Sequence, residues 1–276
     1  MVKFNFQKSI PQIASNNVFQ LALMIIVVVG AFFMGSLWTK VKILEKGTPV
    51  AAQPAAGGTA QQPAAQATVT LAQVQNAFNK SIIKFGDSKK KVLFVEISDP
   101  SCPYCHIAGG KNSELNSQTG QFKLVADGGT YIAPVPEMKK LVDSGKAAYA
   151  LVYYPGHGSG EMGAKAFYCA FEKGKFWQVN DLLMTNEGYN LMNNTIKNDK
   201  TKSGDLAQFL AGAIDADFMK TCLDSGKYDA QLAKDQELAK GLNVAGTPGF
   251  FINATPFSGA YSFADMQASV DAALGK

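Results

Sequence analysis

Apolar and polar positions change their period several times along this chain, and each change marks a different kind of element. Residues 18–38 are almost uniformly apolar, and no charge occurs between Lys8 and Lys40. As a helix, that stretch is long enough to cross roughly 30 Å of hydrocarbon. Over residues 47–68 the periodicity vanishes into uncharged Ala, Pro, Gln, Gly and Thr, a composition that builds no core. Thr70 and Gln73 then form a capping-box signature, and Leu71, Val74, Phe78, Ile82 and Phe85 recur at helical spacing until Gly86. Residues 92–97 are a short apolar run broken only by Glu96, as in a central strand covered on both faces. A second strand is predicted over 147–154, closed by Pro155-Gly156. Helical spacing fills residues 161–241, with Met162, Ala166, Cys169 and Ala170 on one face of its first helix. A strand over 249–253, a turn through 257–260 and a last helix complete the pattern. That helix has Ser262 and Asp265 as its capping pair and Phe263, Met266, Val270 and Leu274 as its core face.

These shifts divide the chain into an N-terminal cytoplasmic segment (1–17), a transmembrane helix (18–38), an Ala/Pro/Gln-rich tether (39–68) and one α/β domain (69–276). The domain carries a helical insertion at about 158–241. A cleaved secretory signal is the competing reading of the apolar stretch, but its hydrophobic region would be shorter and end in a small-residue cleavage site. An uncleaved anchor is therefore expected. Lysines flank the span on both sides and do not orient it. The uncharged part of the tether spans roughly 25 Å as a flexible coil and up to roughly 70 Å when stretched. A formal charge of +4 scattered over 276 residues, with Lys89-Lys90-Lys91 as the longest basic run, excludes a nucleic-acid interface as the leading reading.

The chemistry concentrates in Cys102-Pro103-Tyr104-Cys105, directly after the first buried strand. A sulfur at a helix start feels unpaired N–H groups and the positive end of the macrodipole, which favour thiolate over thiol. Cys102 is thus the expected nucleophile of disulfide exchange and Cys105 the cysteine that resolves the mixed disulfide. Half of a zinc site reads the same way, but no second closely spaced pair follows, so no metal is assigned. Cys169 and Cys222 lie on amphipathic segments with inward-facing neighbours. In an oxidising compartment they would pair; two separate buried thiols are the alternative.

Strand, Cys-Pro-Tyr-Cys, helix, strand, helical insertion, Thr247-Pro248 before a strand and a closing helix together resemble the DsbA-like branch of the thioredoxin fold. The segments Ala166 to Trp177 and Cys222 to Tyr228 are similar to insertion segments of membrane-tethered bacterial relatives. The Pro103-Tyr104 dipeptide departs from the Pro-His of the best-known oxidants, and the stretch 127–136, rich in Gly and Pro, is longer than in the simplest family pattern.

The resemblance implies that Glu96 is a buried acid assisting proton transfer at Cys105, with a strand-end carboxylate meeting solvent or a lysine as the alternative. It implies that Pro248 is a cis-proline facing the cysteines, and that Pro103, Tyr104, Thr247 and Pro248 touch substrate. His106 is read as a neutral helix residue and His157 as a solvated loop residue near the groove. The implied activity is an extracytoplasmic thiol:disulfide oxidoreductase anchored in the cell membrane by a single span. Its leading form is a dithiol oxidase acting on exported protein or peptide thiols, with no cofactor beyond its own redox-active disulfide. A membrane redox partner, a quinone-coupled oxidase or a reductant, would recycle it, and residues 18–38 would contact the bilayer. A reductase or isomerase, or a peptide-binding holdase, are the alternatives.

Overall fold

The computed structural model describes residues 68–276. The expected segment 1–17, span 18–38 and nearly all of the tether lie outside the described residues. Among the described residues, no helix is long and apolar enough to cross a membrane.

Five strands form one sheet in the order β1-β3-β2-β4-β5: β1 Ile83–Phe85, β2 Val92–Ser98, β3 Ala147–Tyr153, β4 Gly249–Ile252 and β5 Thr255–Ser258. β2 and β3 run parallel and every other neighbour is antiparallel. All residues of β2, β3 and β4 are buried, which explains why they read as continuous apolar runs rather than alternating ones. Alternate side chains of β2 supply two cores. Leu93, Val95 and Ile97 pack with Ala148, Ala150 and Val152 beneath helix α1, Leu71–Lys80. Val92 and Phe94 join Tyr149, Leu151 and Tyr153 in a larger core on the opposite face.

After β2 come α2 Pro103–Gly109, α3 Ser113–Gln118 and α4 Pro134–Asp143. Between β3 and β4 lie α5 Glu161–Glu172, α6 Phe176–Leu183, α7 Asn186–Asn190, α8 Ser203–Phe209, α9 Ala216–Asp224 and α10 Asp229–Gly241. The chain closes with α11, Phe263–Leu274. Within the expected insertion, α10 behaves differently from the rest: Ala239 joins the core under α1, so this helix returns to cover the other face of the sheet.

Several expectations are corrected. The helical period runs on to Phe85, but α1 ends at Ser81, which is extended, and its Oγ donates to Leu151 O at 2.7 Å. Ile83 and Phe85 then pair with Leu151 and Tyr149 as β1. Residues 257–258, the start of the expected turn, instead end edge strand β5, Thr255–Ser258, with Asn253 at φ 53 where the hairpin reverses. Ser262 does stand at the start of α11, but its side chain does not cap the helix with Asp265; its Oγ accepts from Ile132 N–H at 3.0 Å. Helix α4, opened by Pro134, carried no helical expectation at all. The segment before it closes a small core of Ile107, Leu115, Tyr131 and Ala133.

Candidate active site

Cys102 is the N-cap of α2, and Pro103 occupies the first turn, where its missing N–H costs nothing. No side chain caps this helix start, so the N–H groups of Tyr104 and Cys105 are left to act on the Cys102 sulfur. Cys102 and Cys105 are free thiols in this structure. The Cys102 pKa falls from the usual 9.0 to about 6, chiefly because the Cys105 thiol bonds to it, helped by Thr247 and the two N–H groups and opposed by burial. Burial and the neighbouring sulfur push Cys105 well above 9.0. The two sulfurs therefore play unequal parts: one ionises readily and the other holds its proton.

The opposite wall comes from 145 residues downstream. Cys102 Sγ donates to Thr247 O at 3.3 Å, and the Thr247–Pro248 peptide bond is cis. Thr247 Oγ1 is buried without a partner in this thiol state, which leaves its proton available to the thiolate. Tyr104 is half exposed, its ring edge-on to Phe122 at 6.0 Å, at the rim of a cleft lined by Phe122, Tyr131 and Tyr261.

Glu96 is only 2% exposed, so the solvent-facing alternative fails. Its carboxylate accepts the Tyr149 hydroxyl at 2.6 Å, and desolvation raises its pKa despite that bond. The Cys105 sulfur accepts the Asp99 N–H at 3.5 Å. His106 is fully buried with Nδ1 and Nε2 beside Met184 O and Pro100 O, and burial lowers its pKa although both carbonyls favour the charged ring. Cys169 and Cys222 form a disulfide within the helical insertion.

Asp99, which carries no expectation from the sequence, is completely buried. Its Oδ1 accepts from Ser101 N–H and Oγ–H, and its Oδ2 accepts from His157 N–H at 2.7 Å. The carboxylate thus ties the cysteine turn to the loop after β3. Asn193 adds a second tie by donating to Ser101 O at 3.0 Å. An acid before Pro100 reads as an ordinary turn residue, and nothing local distinguishes it. Among the described residues, no group of His, Cys, Asp and Glu is arranged to hold a metal ion.

The thioredoxin family's sequence profile matches residues 135–272, half of the chain. Among curated proteins, a Rickettsia conorii protein named as a protein-disulfide oxidoreductase is 27% identical over 191 residues, covering 68% of this chain and 59% of its own length. The Na(+)/H(+) antiporter NhaA 3 of Salinispora tropica is 26% identical over 193 residues, covering 68% of this chain but 24% of the antiporter. The chain thus spans about three fifths of the one relative and about a quarter of the other. Among solved structures, a cysteine-to-alanine double variant of Wolbachia pipientis alpha-DsbA1 superposes with a TM-score of 0.54 at 17% identity, covering 75% of this chain and 96% of that one.

Proposed function

The chain belongs to the thioredoxin family, with a DsbA-like fold, and on that premise we propose that it is an extracytoplasmic thiol:disulfide oxidoreductase that oxidises dithiols of exported proteins. The observation that carries the reading is the split between a Cys102 thiol ionising at about 6 and a Cys105 thiol held neutral beside it. The name of the Rickettsia relative supports the activity. The Cys169–Cys222 disulfide supports an oxidising compartment. Residues 18–38 would anchor the domain to the cell membrane and residues 39–68 would tether it.

In the oxidised protein a client thiolate attacks Cys102 Sγ, the Cys102–Cys105 bond breaks, and Cys105 leaves with the electron pair and takes up a proton. A second client thiolate then attacks the client sulfur of the mixed disulfide. The client disulfide forms and Cys102 departs as the stabilised thiolate. The domain now holds two electrons, which a quinone-coupled membrane partner would remove.

The lowered Cys102 pKa contributes to this direction by stabilising the reduced form. At pH 7 a thiol of pKa about 6 is largely ionised, which stabilises the reduced form by about 1.4 kcal/mol over one of pKa 9.0, or about 30 mV. Reducing members of the fold lie near about −270 mV and the strongest oxidants near about −120 mV, so ionisation of Cys102, hydrogen bonds included, supplies about a fifth of that interval. Equilibrating the full chain in glutathione buffers tests the reading. A potential nearer about −120 than about −270 mV is expected, with loss of peptide dithiol oxidation in Cys102→Ser. A value near about −270 mV would assign the reductase or isomerase role instead.

A further inference from the structure

Cys105 must lose a proton before it closes on Cys102, and must gain one when it departs. Its sulfur is buried, so bulk water does not reach it easily. Glu96 is the expected proton acceptor, yet its carboxylate is engaged by Tyr149, and no hydrogen bond joins it to Cys105. Ser98 lies two residues after Glu96 on β2, and alternation puts both side chains on the face that packs against Cys105. The backbone N–H that contacts Cys105 Sγ belongs to the next residue, Asp99. Electrostatically the Ser98 hydroxyl favours the charged forms of both Glu96 and Cys105.

Ser98 is 1% exposed, and its Oγ has no well-formed hydrogen bond. An unpaired buried hydroxyl costs on the order of 1–3 kcal/mol, so alanine would serve the fold at least as well. A hydroxyl carries one donor and two acceptor sites and can hold a bond to a thiol on one side and to a carboxylate on the other.

We propose that Ser98 relays the proton between Cys105 and Glu96, an inference that rests on the Cys102–Cys105 pair being redox-active. On closure, the Cys105 proton passes to Ser98 Oγ while the proton of Ser98 passes to the Glu96 carboxylate. The Cys105 electron pair attacks Cys102 Sγ, the new sulfur–sulfur bond forms, and the client sulfur leaves as thiolate. On client oxidation the same path runs backwards: the Glu96 carboxyl proton reaches Cys105 through Ser98 as the Cys102–Cys105 bond breaks. Ser98 begins and ends with one proton in either direction.

Stopped-flow reaction of the reduced full chain with oxidised glutathione separates the steps. The first phase is attack by Cys102 and the second is closure by Cys105 with release of glutathione. Ser98→Ala is expected to melt no lower than the wild type, to keep the first phase, and to slow the second about tenfold at pH 6–7. That deficit should narrow towards pH 10, where hydroxide ionises Cys105 directly. In the Ser98→Ala/Glu96→Gln double variant the second phase should be no slower than in the slower single variant, because both act on one path. A second phase within twofold of wild type in Ser98→Ala, a deficit independent of pH, or slowdowns that multiply in the double variant would each overturn the relay. Absence of the first phase in the wild type would instead remove the redox reading and the relay with it.

Discussion

At the scale of single residues, the Cys102 sulfur is the group whose protonation matters most, and its linkage to folding has a definite sign. Its folded pKa of about 6 lies below the 9.0 of an ordinary thiol. The stabilisation is therefore complete above about pH 9, and it is lost as pH falls through about 6. Measured against Cys102→Ser, which keeps Glu96 and its raised pKa, the reduced protein should gain about 2 kcal/mol between pH 6 and pH 8 in denaturant unfolding. A flat difference would refute the thiolate. The unpartnered Thr247 hydroxyl gives a second test. Thr247→Val keeps the shape and removes the donor, so the thiolate absorbance should titrate about one unit higher, as expected for the loss of one hydrogen bond of about 1.4 kcal/mol to a charged sulfur. Cys102, Cys105 and Glu96 were legible in sequence because a helix start, a two-residue gap and a charge inside an apolar strand are local signals. Tyr149, Tyr168 and the bridging role of Asp99 were not, because Glu96, Asp235 and His157, the partners concerned, lie far along the chain. Tyr168 donates to Asp235 at 2.7 Å across 67 residues, a pairing with no local trace.

At the scale of elements, periodicity identified the buried strands, α1 and the helical stretch, and it failed where two signals overlap. Ile82 and Phe85 continue the helical stripe of α1, yet Ile83 and Phe85 are also β-formers, and the free edge of β3 captures them. β5 was missed because an edge strand whose residues are all exposed except a half-buried Phe257 has no apolar run to announce it. Within the insertion, α5 and α9 are joined by the Cys169–Cys222 disulfide, which closes a separation of 53 residues. In the chain-entropy picture such a loop stabilises the fold by about 4 kcal/mol, several times a typical surface interaction. Cys169→Ala/Cys222→Ala should lose up to about that amount in chemical denaturation, while Cys102 keeps its pKa, because neither cysteine is among the groups that lower it. A Cys102 titration that shifted with the disulfide would show the insertion to be part of the redox site.

At the scale of the molecule, the site exists only where three distant segments meet: the turn from Ser98 to Cys105, the loop from Pro155 to Gly160 and the approach to β4 at Thr247. The middle segment fits because two of its residues lack side chains. A Cβ on Gly160 would overlap Asp99 Oδ1, and one on Gly156 would overlap Thr247 Oγ1 and lie 2.9 Å from its Cβ. Neither glycine has a positive φ, so the demand is for closeness and not for an unusual backbone. Gly156→Ala must therefore displace Thr247, a β-branched residue whose side chain cannot swing clear without its backbone following. The sheet and both cores lie away from this contact. The variant should keep cooperative unfolding and the far-ultraviolet spectrum of the wild type. Its Cys102 thiol should move upward from about 6, and its potential should fall, because the donor and the carbonyl of Thr247 retreat together from the sulfur. Adding Thr247→Ala relieves most of the collision. The double variant should then regain melting temperature but not the low pKa, since the hydroxyl remains absent. Recovery of both would mean that Thr247 supports the site by packing alone, and that the acidity of Cys102 belongs to the helix start and Cys105.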